Sequence, residues 1–125
     1  MPTNPTNPCA EIVLSGPTRC ALNPLKYYIL NYDDYSLSTT YDVLEWGKGF
    51  EDKRRFIGKN DTTVNGVEYD ISTVFIGMED EIFETMAWRN GDECLQRRTD
   101  TYEEARQMHI DVCTRIHNGE DISYD

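Results

Sequence analysis

Asn65-Gly66, set between Val64 and Val67, is the dipeptide that most narrows what this chain can fold into. A two-residue Asn-Gly loop takes positive φ at both positions, and its twist matches that of two antiparallel strands. The chain on either side is therefore expected to pair with itself. Val67–Met78 continues with Ile71, Thr73 and Phe75 on one face and Val74 and Ile76 on the other. Apolar side chains on both faces predict a central strand, covered on both sides in its C-terminal half. After the acidic turn Met78-Glu79-Asp80-Glu81, residues 82–88 (IFETMAW) read as a second core strand, and Asn90-Gly91-Asp92 as another turn. Residues 94–98 read as a final strand, and KRRFIGK at 53–59 as a strand opening on a basic cluster. Strands in series at hairpin spacing imply an antiparallel meander. Phe75, Phe83 and Trp88 are expected in its core.

Helical periodicity appears on both sides of this region. Upstream, Tyr27-Tyr28-Ile29-Leu30 is a short β-favouring run closed by the turn-prone Asn31-Tyr32-Asp33-Asp34. Ser38, Thr39 and Thr40 then offer capping hydroxyls to a stripe of Tyr41, Leu44 and Phe50, with Val43 and Trp46 beside it, which predicts a helix over 40–52. Gly47 and Gly49 weaken its second half. Downstream, Thr101 and Glu104 form the T-x-x-E capping pattern. Tyr102, Ala105, Met108 or His109, Val112 and Ile116 recur at helical spacing, and Asn118-Gly119 supplies a stop. The expected class is α+β: a small two-layer sandwich in which an antiparallel sheet of four to five strands packs against two helices. Residues 25–125 make its single domain. Residues 1–24, with Pro2, Pro5, Pro8 and Pro17 and no apolar periodicity, read as a flexible N-terminal arm.

A net charge of −11 over 125 residues argues against direct nucleic-acid binding, which needs clustered Lys and Arg to neutralise phosphates. It fits the reverse, a protein that offers carboxylates to a basic surface of another protein. No apolar run approaches the ~20 residues needed to span a bilayer, and no secretion signal is visible. Cys9, Cys20, Cys94 and Cys113 are too sparse for a disulfide scaffold and read as reduced thiols. The expected location is cytoplasmic, with no membrane partner and no cofactor; a homo-oligomer is compatible with the sequence.

Asp33-Asp34, Glu79-Asp80-Glu81 and Glu120-Asp121 fall at turns and helix ends where folding does not require them, and they are the candidate partner-binding residues. Tyr32, Tyr35, Tyr41, Tyr102 and Tyr124 lie near enough to serve as contact anchors. Glu103-Glu104 has a local reason, the positive end of the last helix. His109, Cys113 and His117 recur every four residues on one helix face, with Cys94 on the preceding strand, a donor set that zinc accepts; the alternative is a partly buried helix face. Glu84 interrupts an apolar strand, and Glu68 and Asp70 alternate on its neighbour. Such carboxylates suit a divalent ion or an acid/base pair in a small metal-dependent hydrolase, or, for Glu84, a cross-strand pair with Arg97 or Arg98.

Two resemblances bear on function. Asn4 to Asn23, NPTNPCAEIVLSGPTRCALN, resembles the active-site segment of cobalamin-dependent ribonucleotide reductases, with its NPCxEI form and a second cysteine. That resemblance implies a thiyl-radical Cys9, a proton-transferring Glu11, a ribose-binding Asn7 and Cys20 as half of a reducing dithiol. The chain departs from the family in the CALN after Arg19, in having its other cysteines downstream, and in lacking a barrel and a glycine-rich phosphate loop. It would then be a fragment that depends on the rest of the enzyme. Residues 27–117, through STVFIG, IFETMAW and RRTDTYEEARQMH, resemble a family of small phage and prophage proteins. Gln107-Met108-His109 lacks that family's glycine before the histidine, and its glycine-rich turn is shortened here to GMEDE. This resemblance implies a fold and a setting, a viral protein in the host cytoplasm. Taken with the acidic turns and the lack of a complete catalytic group, it makes the expected function that of a non-catalytic accessory protein that binds a host protein, such as a nucleic-acid enzyme of a defence system.

Overall fold

The computed structural model describes residues 25–122, so the arm with Asn7, Cys9, Glu11 and Cys20, and Tyr124 at the other end, lie outside the described residues. The elements run β1 Tyr27–Leu30, β2 Leu37–Thr40, α1 Val43–Lys48, short 3-10 turns at Gly49–Glu51 and Lys53–Arg55, β3 Phe56–Val64, β4 Val67–Met78, β5 Glu81–Arg89, β6 Asp92–Thr99 and α2 Tyr102–His117. This is the α+β architecture that the sequence predicts: one antiparallel sheet packed with two helices.

The order β2-β1-β4-β5-β6 describes the sheet, with β3 also pairing β4. β4, twelve residues long, is its spine. It pairs with β5 along one edge, while β3 runs from Val64↔Val67 to Phe56↔Val74 on the other edge and β1 touches its far end at Tyr27↔Met78. The two predicted hairpin turns form as expected. Asn65 and Gly66 have φ of 53° and 80°, and Asn90 and Gly91 have 50° and 88°, the left-handed pair that a two-residue hairpin needs.

α2 packs across β3 to β6 and buries Ala105, His109, Val112 and Ile116. Beneath it lie Ile71, Ala87 and Leu95, and towards its N-terminus Phe75, Ile82 and Phe83 with Leu30 of β1. The Thr101 hydroxyl caps the helix by accepting from the Glu104 N–H, and the Glu104 carboxylate reaches back to the Asp100 N–H. At the other end Gly119 (φ 76°) donates to Ile116 and Glu120 donates to Arg115, a complete Schellman closure.

Four expectations need correction. The helix over 40–52 is only the six residues of α1 followed by a 3-10 turn, and its cap is Asp42, which accepts from the N–H groups of Leu44 and Glu45. Ser38, Thr39 and Thr40 are instead in β2, paired with Ile29, Tyr28 and Tyr27; β-branched residues with a strand alongside pair more readily than they cap. This gives the sheet its sixth strand. The strand expected at 53–59 starts at Phe56 and runs to Val64, because the Asp52 carboxylate accepts from Arg54 and nucleates a turn first. β4 is central but not covered on both sides: its odd-numbered residues from Ile71 to Gly77 are buried, whereas Ser72, Val74 and Ile76 are half-buried by cross-strand neighbours. Trp88, opposite Asp70 on that second face, is likewise half-buried instead of in the core. Phe75 and Phe83 are buried, at 7% and 0% exposure. Among the described residues no helix is long and apolar enough to cross a membrane.

Candidate functional site

The helix-bearing face holds a buried chain of polar groups. Thr73 and Thr85, directly opposite on β4 and β5 and both fully buried, share a 2.7 Å hydroxyl contact. Thr73 Oγ1 also lies 2.8 Å from Nδ1 of His109, whose Nε2 lies 2.7 Å from Oδ1 of Asn60 on β3. Because the Asn60 carbonyl oxygen only accepts, Nε2 carries the proton and Nδ1 accepts from Thr73. Burial pushes the His109 pKa below its ordinary 6.5, which keeps the ring neutral. The ring lies against Gly58, where an added Cβ would come within 2.7 Å of it. A hydroxyl beside an imidazole is the arrangement of an activated nucleophile. Here, however, Thr73 has no exposed surface from which to reach a substrate. The network fastens α2 to the sheet.

The zinc donors do not converge. Both nitrogens of His109 are engaged, His117 is exposed, and Cys94 and Cys113 pack among the apolar side chains between α2 and the sheet. Burial holds both thiols above their ordinary pKa. Among the described residues no three His, Cys, Asp or Glu side chains gather as a metal would require. Glu84 accepts from Gln96 and sits 3.7 Å from Arg98, the cross-strand pairing considered from the sequence.

The acidic turns are dispersed and partly neutralised. Glu81 pairs with Arg98, Glu120 with Arg115, and Asp121 with Arg89. Asp34 accepts from Ser36, which lowers its pKa. Glu81 and Arg89, the latter gripping Asp121, stand at opposite ends of β5, roughly 25 Å apart at ~3.3 Å per residue. Glu79-Asp80-Glu81 and Glu120-Asp121 are therefore not one surface. Among the tyrosines, Tyr35 stacks on Tyr102 at 3.9 Å, Tyr32 lies under the Arg54 guanidinium, and Tyr41 is 64% exposed.

A different acidic feature emerges on the face away from α2. α1 packs against β1 and β2, so among the described residues no helix covers the outer face of β3 to β6. There the pairing sets Asp61 of β3 directly opposite Asp70 of β4, both exposed, with Thr63 and Glu68 next along the hairpin. Like charges placed directly across a sheet are unfavourable, and among the described residues neither carboxylate has an ion-pair partner. A groove of about 530 Å³ runs beside them, walled by Phe56, Ser72 and Trp88. Of this group the sequence singles out Glu68 and Asp70 alone. Asp61 escapes notice because only the register of the Asn65-Gly66 hairpin brings it opposite Asp70. Compared with protein-family models, with curated proteins and with solved structures, the chain matches none.

Proposed function

We propose that this protein is a non-catalytic binding module that engages a basic surface of another protein. The observation that carries this reading is the Asp61–Asp70 pair, two exposed carboxylates held opposite each other at a cost to the fold and, among the described residues, without a cation paired to either. Charge that the fold does not need is charge available to a partner, and it both steers and orients association. The resemblance of residues 27–117 to small phage proteins supports the setting: a viral accessory protein in a host cell, occupying the basic site of a host nucleic-acid enzyme. The buried Thr73–His109 contact favours binding over hydrolysis, because the sole hydroxyl–imidazole pair among the described residues is spent inside the core.

The test is capture of a host protein followed by reconstitution from purified components. Association is expected to slow by at least about tenfold between low and physiological ionic strength, as screened steering requires. A rate indifferent to salt would remove the electrostatic reading. The reductase-like segment Asn4 to Asn23 supports a second reading, that of an enzyme fragment. Cys9→Ser in the same assay distinguishes them: association should be unchanged, and a loss confined to that variant would favour the fragment.

A further inference from the structure

The groove on the outer face combines features that charge alone does not supply. Asp70 has Asp61 as its neighbour on one side and Trp88 on the other, so two carboxylates and an indole share one row across three strands. Lys59 also lines the groove, but its ammonium sits 5.7 Å over the Phe56 ring and forms no ion pair with either aspartate. Tyr28, Tyr32, Phe50, Phe56 and Tyr69 each carry a cation of this chain over the ring. Among the described residues Trp88 carries none, although tryptophan offers the strongest ring face for one.

We propose that this groove docks an arginine-bearing segment of a basic partner protein, with the guanidinium held between the Asp61 and Asp70 carboxylates and stacked on Trp88. The inference rests on the binding reading above and specifies its surface and its chemistry. Arginine fits better than lysine because its planar fork bonds carboxylates side-on while its face stacks on an aromatic ring; an ammonium is a point charge with no face. A second copy of this chain does not fit. A two-fold interface on this face would bring like carboxylates together, between molecules that each carry −11. Nucleic acid is repelled by the same charge.

The full chain, labelled with nitrogen-15, is titrated at low ionic strength with the capped peptide acetyl-Arg-Ser-Arg-Ser-Arg-amide and with its lysine counterpart. Amide shifts are expected to cluster at Asp61, Asp70 and Trp88, and the arginine peptide is expected to bind several-fold tighter. The double variant Asp61→Asn, Asp70→Asn should weaken binding by at least about tenfold. Glu79→Gln with Asp80→Gln, which removes equal charge elsewhere, should leave it within about twofold. Because the double asparagine variant relieves a like-charge pair, its melting temperature should equal or exceed that of the wild type, so lost binding is not lost fold. Trp88→Leu should reduce the preference for arginine over lysine. Shifts centred elsewhere, an unaffected double variant, or equal affinity for the two peptides would overturn the arginine groove while leaving the broader binding reading standing. Failure of both peptides to saturate any surface of the protein would remove both readings.

Discussion

At the scale of single residues, His109 is the position where side-chain chemistry most tightly couples to the fold. It joins α2 to β3 through Asn60 and to β4 through Thr73, with Thr85 of β5 behind, and both hydrogen-bond partners of the ring are uncharged. A neutral ring is therefore the folded form, and protonation favours the unfolded chain. The folded pKa lies below the ordinary 6.5, so stability is full above that value and declines as pH falls from 6.5 towards the folded pKa. Urea melts across this range should show the decline in the wild type and lose most of it in His109→Gln. Asp34 and Asp52 are held below the ordinary 3.8 by hydrogen bonds from Ser36 and Arg54 respectively. Their contribution is lost only as pH falls below the ordinary 3.8, whereas the His109 decline begins at 6.5. Gly58 faces the same ring, and the 2.7 Å approach of an added Cβ leaves no room for it. Gly58→Ala should cost about 1–3 kcal/mol, as overpacking does; an unchanged urea midpoint would mean that His109 swings aside freely.

At the scale of elements, the two helices differ in where their stability originates. α2 is sixteen residues long with a hydroxyl cap, a Schellman end and a buried stripe. All of these are local features, and all were legible in the sequence. Thr101→Ala should lower stability by about 1 kcal/mol through loss of the cap, read from thermal melts, with no effect on peptide binding at the far face. α1 has six residues, none buried, and leaves Val43 and Leu44 49% and 76% exposed. It is too short to persist by itself. Contacts made by Trp46 hold it: its ring stacks on Tyr27 at 4.6 Å, and its Nε1–H donates to the Ile76 carbonyl at 2.9 Å. Trp46→Ala should release α1 with the 3-10 turn that follows, seen as faster amide exchange over 43–51, while α2 stays protected.

At the scale of the whole molecule, one apolar layer between α2 and the sheet carries stability, and the opposite face is left for charge. Phe83 is fully buried in the first and contacts Phe75 at 5.3 Å between ring centroids. Phe83→Ala should cost about 3–5 kcal/mol by lost burial and cavity formation, whereas Trp88→Leu on the outer face should cost far less. Comparable losses in urea melts would show that the outer face is a second core and not a surface.

What the sequence determined by itself is whatever rests on near neighbours: the Asn-Gly turns, the alternation along β4 and β5, the cap, stripe and stop of α2, and hence an antiparallel sheet with helices packed on it. What it misjudged depends on residues distant in the chain. Thr39 and Thr40 have the same propensities beside a helix or in a strand, and only pairing with Tyr28 and Tyr27 made them β2. Trp88 is as hydrophobic as Phe83, yet an odd number of strand positions separates them, and side chains alternate between faces. One therefore met the outer face and the other the core. The candidate site follows the same logic. The conspicuous acidic turns found arginines or lay apart once the chain folded, while Asp61, unremarkable in sequence, came to oppose Asp70 nine positions on because the hairpin between them fixed their register.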